Sequence, residues 1–156
     1  EVNLFGSIHC TQAALPSLRE RGGCIIAISS VAGFAPLLGR TAYAASKHAL
    51  HGFFDTLRTE LEEDGVDVML VCPSFVATGF SERGLDGRGE RKSGQRATAG
   101  RSSRPEQVAE AVFDGAQKRQ RQRLVSPVAH ASLWLWRFSP RLYERLMRRS
   151  QRSEMG

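Results

Sequence analysis

The chain has 156 residues, 41% hydrophobic and 24% charged, enough for one globular domain with its own core. No apolar run approaches the ~20 residues of a membrane-spanning helix. Its net charge of +6 is uneven: from Gln117 to Gly156 ten Lys/Arg face only Glu144 and Glu154, so basicity belongs to the tail and the preceding 116 residues carry −2.

The start, Glu1-Val2-Asn3, has neither an initiator Met nor a basic-then-apolar signal pattern, so upstream residues are expected to be missing. Residues 4–20 read as a helix with Leu4, Ile8, Leu15 and Leu18 apolar, its end blurred by Pro16 and broken by Gly22-Gly23. "CIIAISSV" at 24–31 is a short β-branched run that fits a strand buried on both faces. Residues 42–63 form the clearest helix, stopped by Asp64-Gly65, and "VDVMLVCP" at 66–73 is a second buried strand. Strand, helix and strand at this spacing predict a parallel pair with a right-handed crossover.

Residues 79–104 carry six glycines, seven basic residues and three acids with few apolar anchors, the composition of a long loop. Ser103-Arg104-Pro105-Glu106 then resembles a helix start with Ser103 as cap. "RLVSP" at 123–127 reads as a third short strand, and "ASLWLWRFSPRLYERLMRRS" is amphipathic with a break at Ser139-Pro140. There is no internal repeat.

At 100° per residue, Tyr43, Lys47, Leu50, Phe54, Leu57 and Leu61 fall within about 80° of arc, so one stripe opens with two polar residues and continues as core. Ala42, Ala45, Ala49, Gly52 and Thr56 make a second stripe, small enough for another helix to approach within or between subunits. A phenol, with an unperturbed pKa near ~10, is a poor acid or base at neutral pH; an ammonium one turn away stabilises the phenolate. Cys10, Cys24 and Cys72 are odd in number without CxxC, which argues against a structural disulfide. His48 and His51 lack HExxH or a third partner, which argues against a metal site.

"AISSVAG" at 27–33, "YAASK" at 43–47, "CPSFVAT" at 72–78 and "VNLFG" at 2–6 together resemble the last two thirds of the short-chain dehydrogenase/reductase family. The wording of "AYAASKHALHGFFDTLRTEL" is most similar to its hydroxysteroid-dehydrogenase-like and family 7 branch, and the likeness runs from residue 1 to about residue 128. The resemblance implies an α/β fold, the C-terminal part of a Rossmann-type doubly wound parallel sheet in three α/β/α layers, followed by a basic helical tail over 129–156. It implies an NAD(P)-dependent oxidoreductase that interconverts an alcohol and a carbonyl, on an apolar steroid, retinoid, lipid or keto compound, with the branch tilting the cofactor toward NADP over NAD. Tyr43 is then the general acid/base and Ser30 holds the substrate oxygen. Lys47 grips the nicotinamide ribose, and Asn3 positions a water that links Lys47 to solvent. Tyr43, Lys47, Pro73, Val76 and Thr78 line the cofactor, while Ser74 stands where the family has glycine and sets a side chain beside the nicotinamide.

The glycine-rich phosphate loop of the family is absent, since Gly84, Gly87 and Gly89 follow no strand. The chain is therefore expected to be a fragment lacking the first third, inactive and poorly folded alone. Residues 79–104 are the expected substrate lid. A homodimer or tetramer through the Tyr43 helix and a cytoplasmic location are further expectations. The tail suits either an anionic lipid surface, giving peripheral membrane contact, or packing at the substrate mouth or against a partner subunit. The other reading of the chain is a noncatalytic basic module on a degenerate scaffold; no recognised nucleic-acid motif supports it, and no nucleic acid is expected.

Overall fold

The computed structural model describes residues 2–78 and 101–151. Most of the stretch expected as a lid, residues 79–100, lies outside them, as do residues 152–156.

Val2–Gly6 winds as a π-helical turn that runs into helix α1, Ser7–Arg21, through a helical backbone at Gly6. Ser7 and Thr11 each donate a hydroxyl to the carbonyl four residues earlier. Pro16 sits inside α1 and does not end it. The stop comes at Gly22, whose φ of 65° is a left-handed cap.

Three strands, β1 Cys24–Ile28, β2 Asp67–Cys72 and β3 Gln122–Leu124, pair in the order β1-β2-β3, all parallel. Cys24 lies opposite Asp67 and Ile28 opposite Val71; Leu70 lies opposite Gln122. The run 24–31 leaves the ladder earlier than its composition suggests, because Ser30 caps a 3-10 turn at Val31–Gly33. Backbone bonds from Ser29 N–H to Val71 and from Val31 N–H to Pro73 still carry the pairing past the strand. Burial on both faces holds for β2 and fails for β1, where Ile28 is 47% exposed. Among the described residues β1 pairs on one side only, and an edge strand keeps less of its surface from water.

Side chains alternate across a sheet, so Ala27, Val68 and Leu70 share one face while Met69 looks to the other. The first face packs against α1 and against helix α2, Thr41–Glu60, burying Leu50, Phe54 and Leu61 with Leu15, Leu18 and Leu57 around them. The α2 stripe from Leu50 to Leu61 is thus the main core contact. Arg58 ties α2 to the sheet, donating from Nε to the Val68 carbonyl at 2.7 Å and from its other end to the Arg121 carbonyl. On the second face lies helix α3, Pro105–Gln117, where a Cβ on Gly115 would come within 2.8 Å of the Met69 sulfur. Helices on both faces of a parallel sheet make the three-layer α/β/α arrangement.

The cap of α3 is Arg104, not Ser103, with Gln107 Oε1 accepting from the Arg104 N–H at 2.9 Å. Ser103 is instead buried in a parallel bridge with Val76, its N–H bonded to the Phe75 carbonyl and its carbonyl to the Ala77 N–H. Its backbone is used as a strand, which removes it from the capping position. Helices α4, Pro127–Phe138, and α5, Pro140–Ser150, follow β3, and Tyr143 of α5 donates its hydroxyl to the Pro36 carbonyl at 3.0 Å.

Replacing Phe54 by Ala removes the largest fully buried side chain among the described residues and is expected to cost about 3–5 kcal/mol of stability. The same change at exposed Phe113 should stay within about 0.5 kcal/mol. Urea denaturation of the two variants checks the contrast.

Candidate functional site

In open parallel sheets, ligands bind beyond the carboxyl ends of the strands, and the residues flagged by the sequence gather there. Ser30 follows β1, Pro73, Val76 and Thr78 follow β2, and the first turns of α2 bring Tyr43 and Lys47 back to the same end.

Lys47 makes the connection. Its Nζ donates to the Ile28 carbonyl, the last of β1, at 2.8 Å, and stands 5.8 Å from the centre of the Tyr43 ring. Burial of the stem and head pushes the Lys47 pKa below its usual 10.5, with the Cys72 thiol pulling weakly the other way. Among the described residues one of its three donors is used and two have no acceptor.

Ser30 is buried, with an extended backbone, and its Oγ accepts from the Ala32 N–H at 3.2 Å. That bond uses a lone pair, so the hydroxyl proton still has no acceptor among the described residues. Asn3 reaches α2 through its side chain, Nδ2 donating to Ser46 Oγ at 3.1 Å, and Ser46 donates in turn to the Tyr43 carbonyl at 2.7 Å. Ser46 is a site residue that spacing did not reveal; its only sequence signal was a hydroxyl within "YAASK".

On the β2 side, Pro73 is buried and its carbonyl takes the Val31 N–H at 3.1 Å. Val76 accepts from Thr78 N–H at 2.9 Å, while its own N–H has no acceptor among the described residues. Thr78 is exposed and, among the described residues, has no hydrogen bond to Tyr43 or Lys47. Ser74, placed where the resembling family has glycine, turns its hydroxyl onto Ser126 Oγ at 2.7 Å, and Ser126 caps α4 by accepting from Ala129 N–H. Its side chain is therefore taken up at the mouth of β3. Arg40, just before α2, lies 5.8 Å over the Phe75 ring and joins the two halves of the site.

Beneath Lys47, one helical turn further, lies a polar cluster around the buried Cys72 thiol that the hydrophobic stripe did not announce. His51 Nε2 is 3.6 Å from the Cys72 sulfur, which also receives the Gln122 side chain at 3.6 Å, and its ring meets Phe34 edge-on. A Cβ on Gly33 would come 2.5 Å from both the His51 ring and Ser29 Oγ, so glycine is what lets the turn after Ser30 close over the imidazole. Burial pushes the Cys72 thiol up to about 11, which keeps it protonated and unreactive. The His51 pKa falls below 6.5 chiefly through burial, opposed by Asp55 and reinforced by His48, Arg58 and Lys47.

The sign of that shift sets a pH dependence. A folded pKa below the unfolded value means the unfolded chain binds the extra proton first, so stability is full above about 6.5 and declines as pH falls through it, by at most about 1.4 kcal/mol per pH unit for one group. His51→Gln should flatten this part of a melting-temperature profile; an unchanged slope would assign the acid sensitivity elsewhere.

A sequence profile described as short chain dehydrogenase matches residues 1–88. The chain is 35% identical over 156 residues to dehydrogenase/reductase SDR family member 7B of Bos taurus, covering 99% of this chain and 48% of that relative. It thus spans about half the length of the curated relatives it matches. The fold superposes on a short chain dehydrogenase from Burkholderia cenocepacia in complex with NADP, with a TM-score of 0.78 at 20% identity over 94% of this chain and 56% of that one. A short chain dehydrogenase/reductase from Burkholderia phymatum in complex with NAD gives a TM-score of 0.72 at 25% identity, over 90% and 57%.

Proposed function

Because the chain belongs to the short-chain dehydrogenase family, we propose that it carries the catalytic half of an NAD(P)-dependent oxidoreductase that interconverts an alcohol and a carbonyl, with Tyr43 as general acid/base. The observation that carries this reading is the Lys47 ammonium held on the Ile28 carbonyl at the end of β1, one turn from Tyr43, with Ser30 two residues beyond that carbonyl and its hydroxyl proton without an acceptor among the described residues.

The donor set suits the nicotinamide end of a dinucleotide. Among the described residues Lys47 has two spare donors, available to ribose hydroxyls, and the Val76 N–H is unengaged and available to a carboxamide, with exposed Thr78 and buried Pro73 flanking it. When bound, NADP or NAD supplies or accepts the hydride. In the reducing direction Tyr43 gives its phenolic proton to the carbonyl oxygen as negative charge builds there, and Ser30 donates a second hydrogen bond to the same atom. Lys47 steadies the phenolate left behind. Asn3, tethered through Ser46, keeps its Oδ1 for a water through which solvent returns a proton toward Lys47 and the phenolate. Oxidation runs the same transfers backwards. An apolar substrate, a steroid, retinoid, lipid or keto compound, suits this site, and the family branch favours NADP.

In the complete polypeptide, Tyr43→Phe is expected to lower kcat by roughly 10²–10⁴ and Ser30→Ala by roughly 10²–10³, measured as NADPH or NADH turnover against a carbonyl panel. Full activity in Tyr43→Phe would remove Tyr43 from the proton transfer.

We also propose assembly as a homodimer or tetramer through α2, whose Ala42, Ala45, Gly52 and Thr56 lie exposed along one side. A Cβ placed on Gly52 would meet nothing within 4 Å in the single chain, so Gly52→Trp is tolerated by the monomer and blocks the close approach of a second helix. Light scattering should find the wild type oligomeric and the variant monomeric; an assembly that survives the tryptophan uses another face.

A further inference from the structure

The apolar side chains of α4 and α5 divide into two sets. Leu135, Trp136, Tyr143 and Met147 turn inward and pack with Val31, Phe34 and Ala35. Trp134, Phe138, Leu142 and Leu146 turn outward, 58, 76, 40 and 45% exposed, and recur at every fourth residue. The Trp134 and Phe138 rings stack at 5.6 Å, nearly parallel, and present one flat aromatic surface.

A second ladder runs beside the first. Arg137, Arg141 and Arg145 each precede one of the outward apolar residues, with Arg148 and Arg149 continuing the basic side of α5, and Glu144 is the one acid in these two helices. Among the described residues none of the five arginines has an ion-pair partner. Arg141, Glu144, Arg145, Arg148 and Arg149 line an open hollow of about 370 Å³ on the outer side of α5.

Among the described residues, packing against the domain accounts for the inward set and leaves the outward one uncovered, and exposed apolar patches rimmed by charge mark interaction surfaces. A second copy seated symmetrically would bring its own arginines against these, which opposes that occupant. A nucleic-acid backbone would match the arginines and leave the leucines without use. An anionic lipid surface answers both ladders at once, since the apolar groups enter the boundary between headgroups and acyl chains while guanidinium groups pair with phosphates. No described helix is long and apolar enough to cross a membrane, so the contact lies along the surface. We propose that α4 and α5 form an interfacial helix pair that seats this chain on anionic lipid. The inference does not depend on the oxidoreductase reading and its test involves no turnover.

The test is flotation of the full chain with phosphatidylcholine vesicles and with vesicles enriched in phosphatidylserine, at low and high salt, with circular dichroism verifying the fold of each variant. Binding to the serine-lipid vesicles alone, weakened by salt and accompanied by a blue shift of tryptophan emission, is expected. Trp134→Ala with Phe138→Ala should abolish the blue shift and most of the binding. Replacing Arg137, Arg141 and Arg145 by Gln should weaken it on the order of a hundredfold. Absence of binding by the folded chain, or binding indifferent to both sets of changes, would overturn the proposal. So would a concentration-dependent dimer that disappears with the same variants while vesicles are ignored.

Discussion

The bond from the Lys47 ammonium to the Ile28 carbonyl is the constraint on which the site depends. Among the described residues β1 is an edge strand, and the last carbonyl of such a strand is left without a ladder partner. Lys47 supplies a donor from the neighbouring helix at 2.8 Å, which sets the height of α2 against β1. With that height fixed, Tyr43 one turn up stands above the strand ends, and Leu50, Phe54 and Leu61 further along meet the sheet. One side chain therefore serves both the core and the crevice. The cost is a partly desolvated ammonium, whose pKa burial pushes below its usual value.

The small residues around Lys47 are part of the same arrangement. Ser46 between Tyr43 and Lys47 accepts from Asn3 and donates to the Tyr43 carbonyl, so the start of the chain is tied to the turn that holds the phenol. Gly33 permits the Ser30 turn to lie against His51 without collision. Beyond it, Pro73 takes the Val31 amide, and the segments after β1 and β2 are clamped to each other. The result is a set of short polar links around strand ends, each made by the backbone or by a side chain with little conformational freedom to lose.

What could be read from the sequence was what has a period or a fixed spacing. The two-faced burial of β2, the α2 stripe and the placement of Ser30, Tyr43 and Lys47 at one end of a parallel sheet follow from alternation, the 3.6-residue repeat and the topology of a crossover. What escaped depends on contacts distant in the chain. Ser103 has every local mark of a helix cap, yet Phe75 and Ala77 take its backbone into a bridge. Exposure of Ile28 reflects how many neighbours β1 has, which its own residues do not encode. His51, Cys72 and Gln122 come from three elements, and a polar trio assembled that way leaves no pattern in any one of them. Ser74 is the instructive case: the residue type alone suggested obstruction, while its partner Ser126, 52 positions away, gives its hydroxyl somewhere else to go.

The helices after β3 carry the same lesson about hydrophobic residues that are counted together and used apart. Trp134 and Trp136 are two positions apart, which on a helix separates them by about 200°, so no single packing partner could bury both. The domain takes Trp136, with Tyr143 edge-on at 5.7 Å and its hydroxyl on the Pro36 carbonyl. Gln151 Oε1 accepts from the Leu38 N–H at 3.3 Å, so α5 is fastened near its start and just past its end to the loop that follows Ser30. A rigid inner face is what allows the outer one to stay apolar without collapsing onto the protein. The fastening loop begins at the Ser30 turn, so the inner face of α4 and α5 and the segment that positions the Ser30 hydroxyl share one set of contacts.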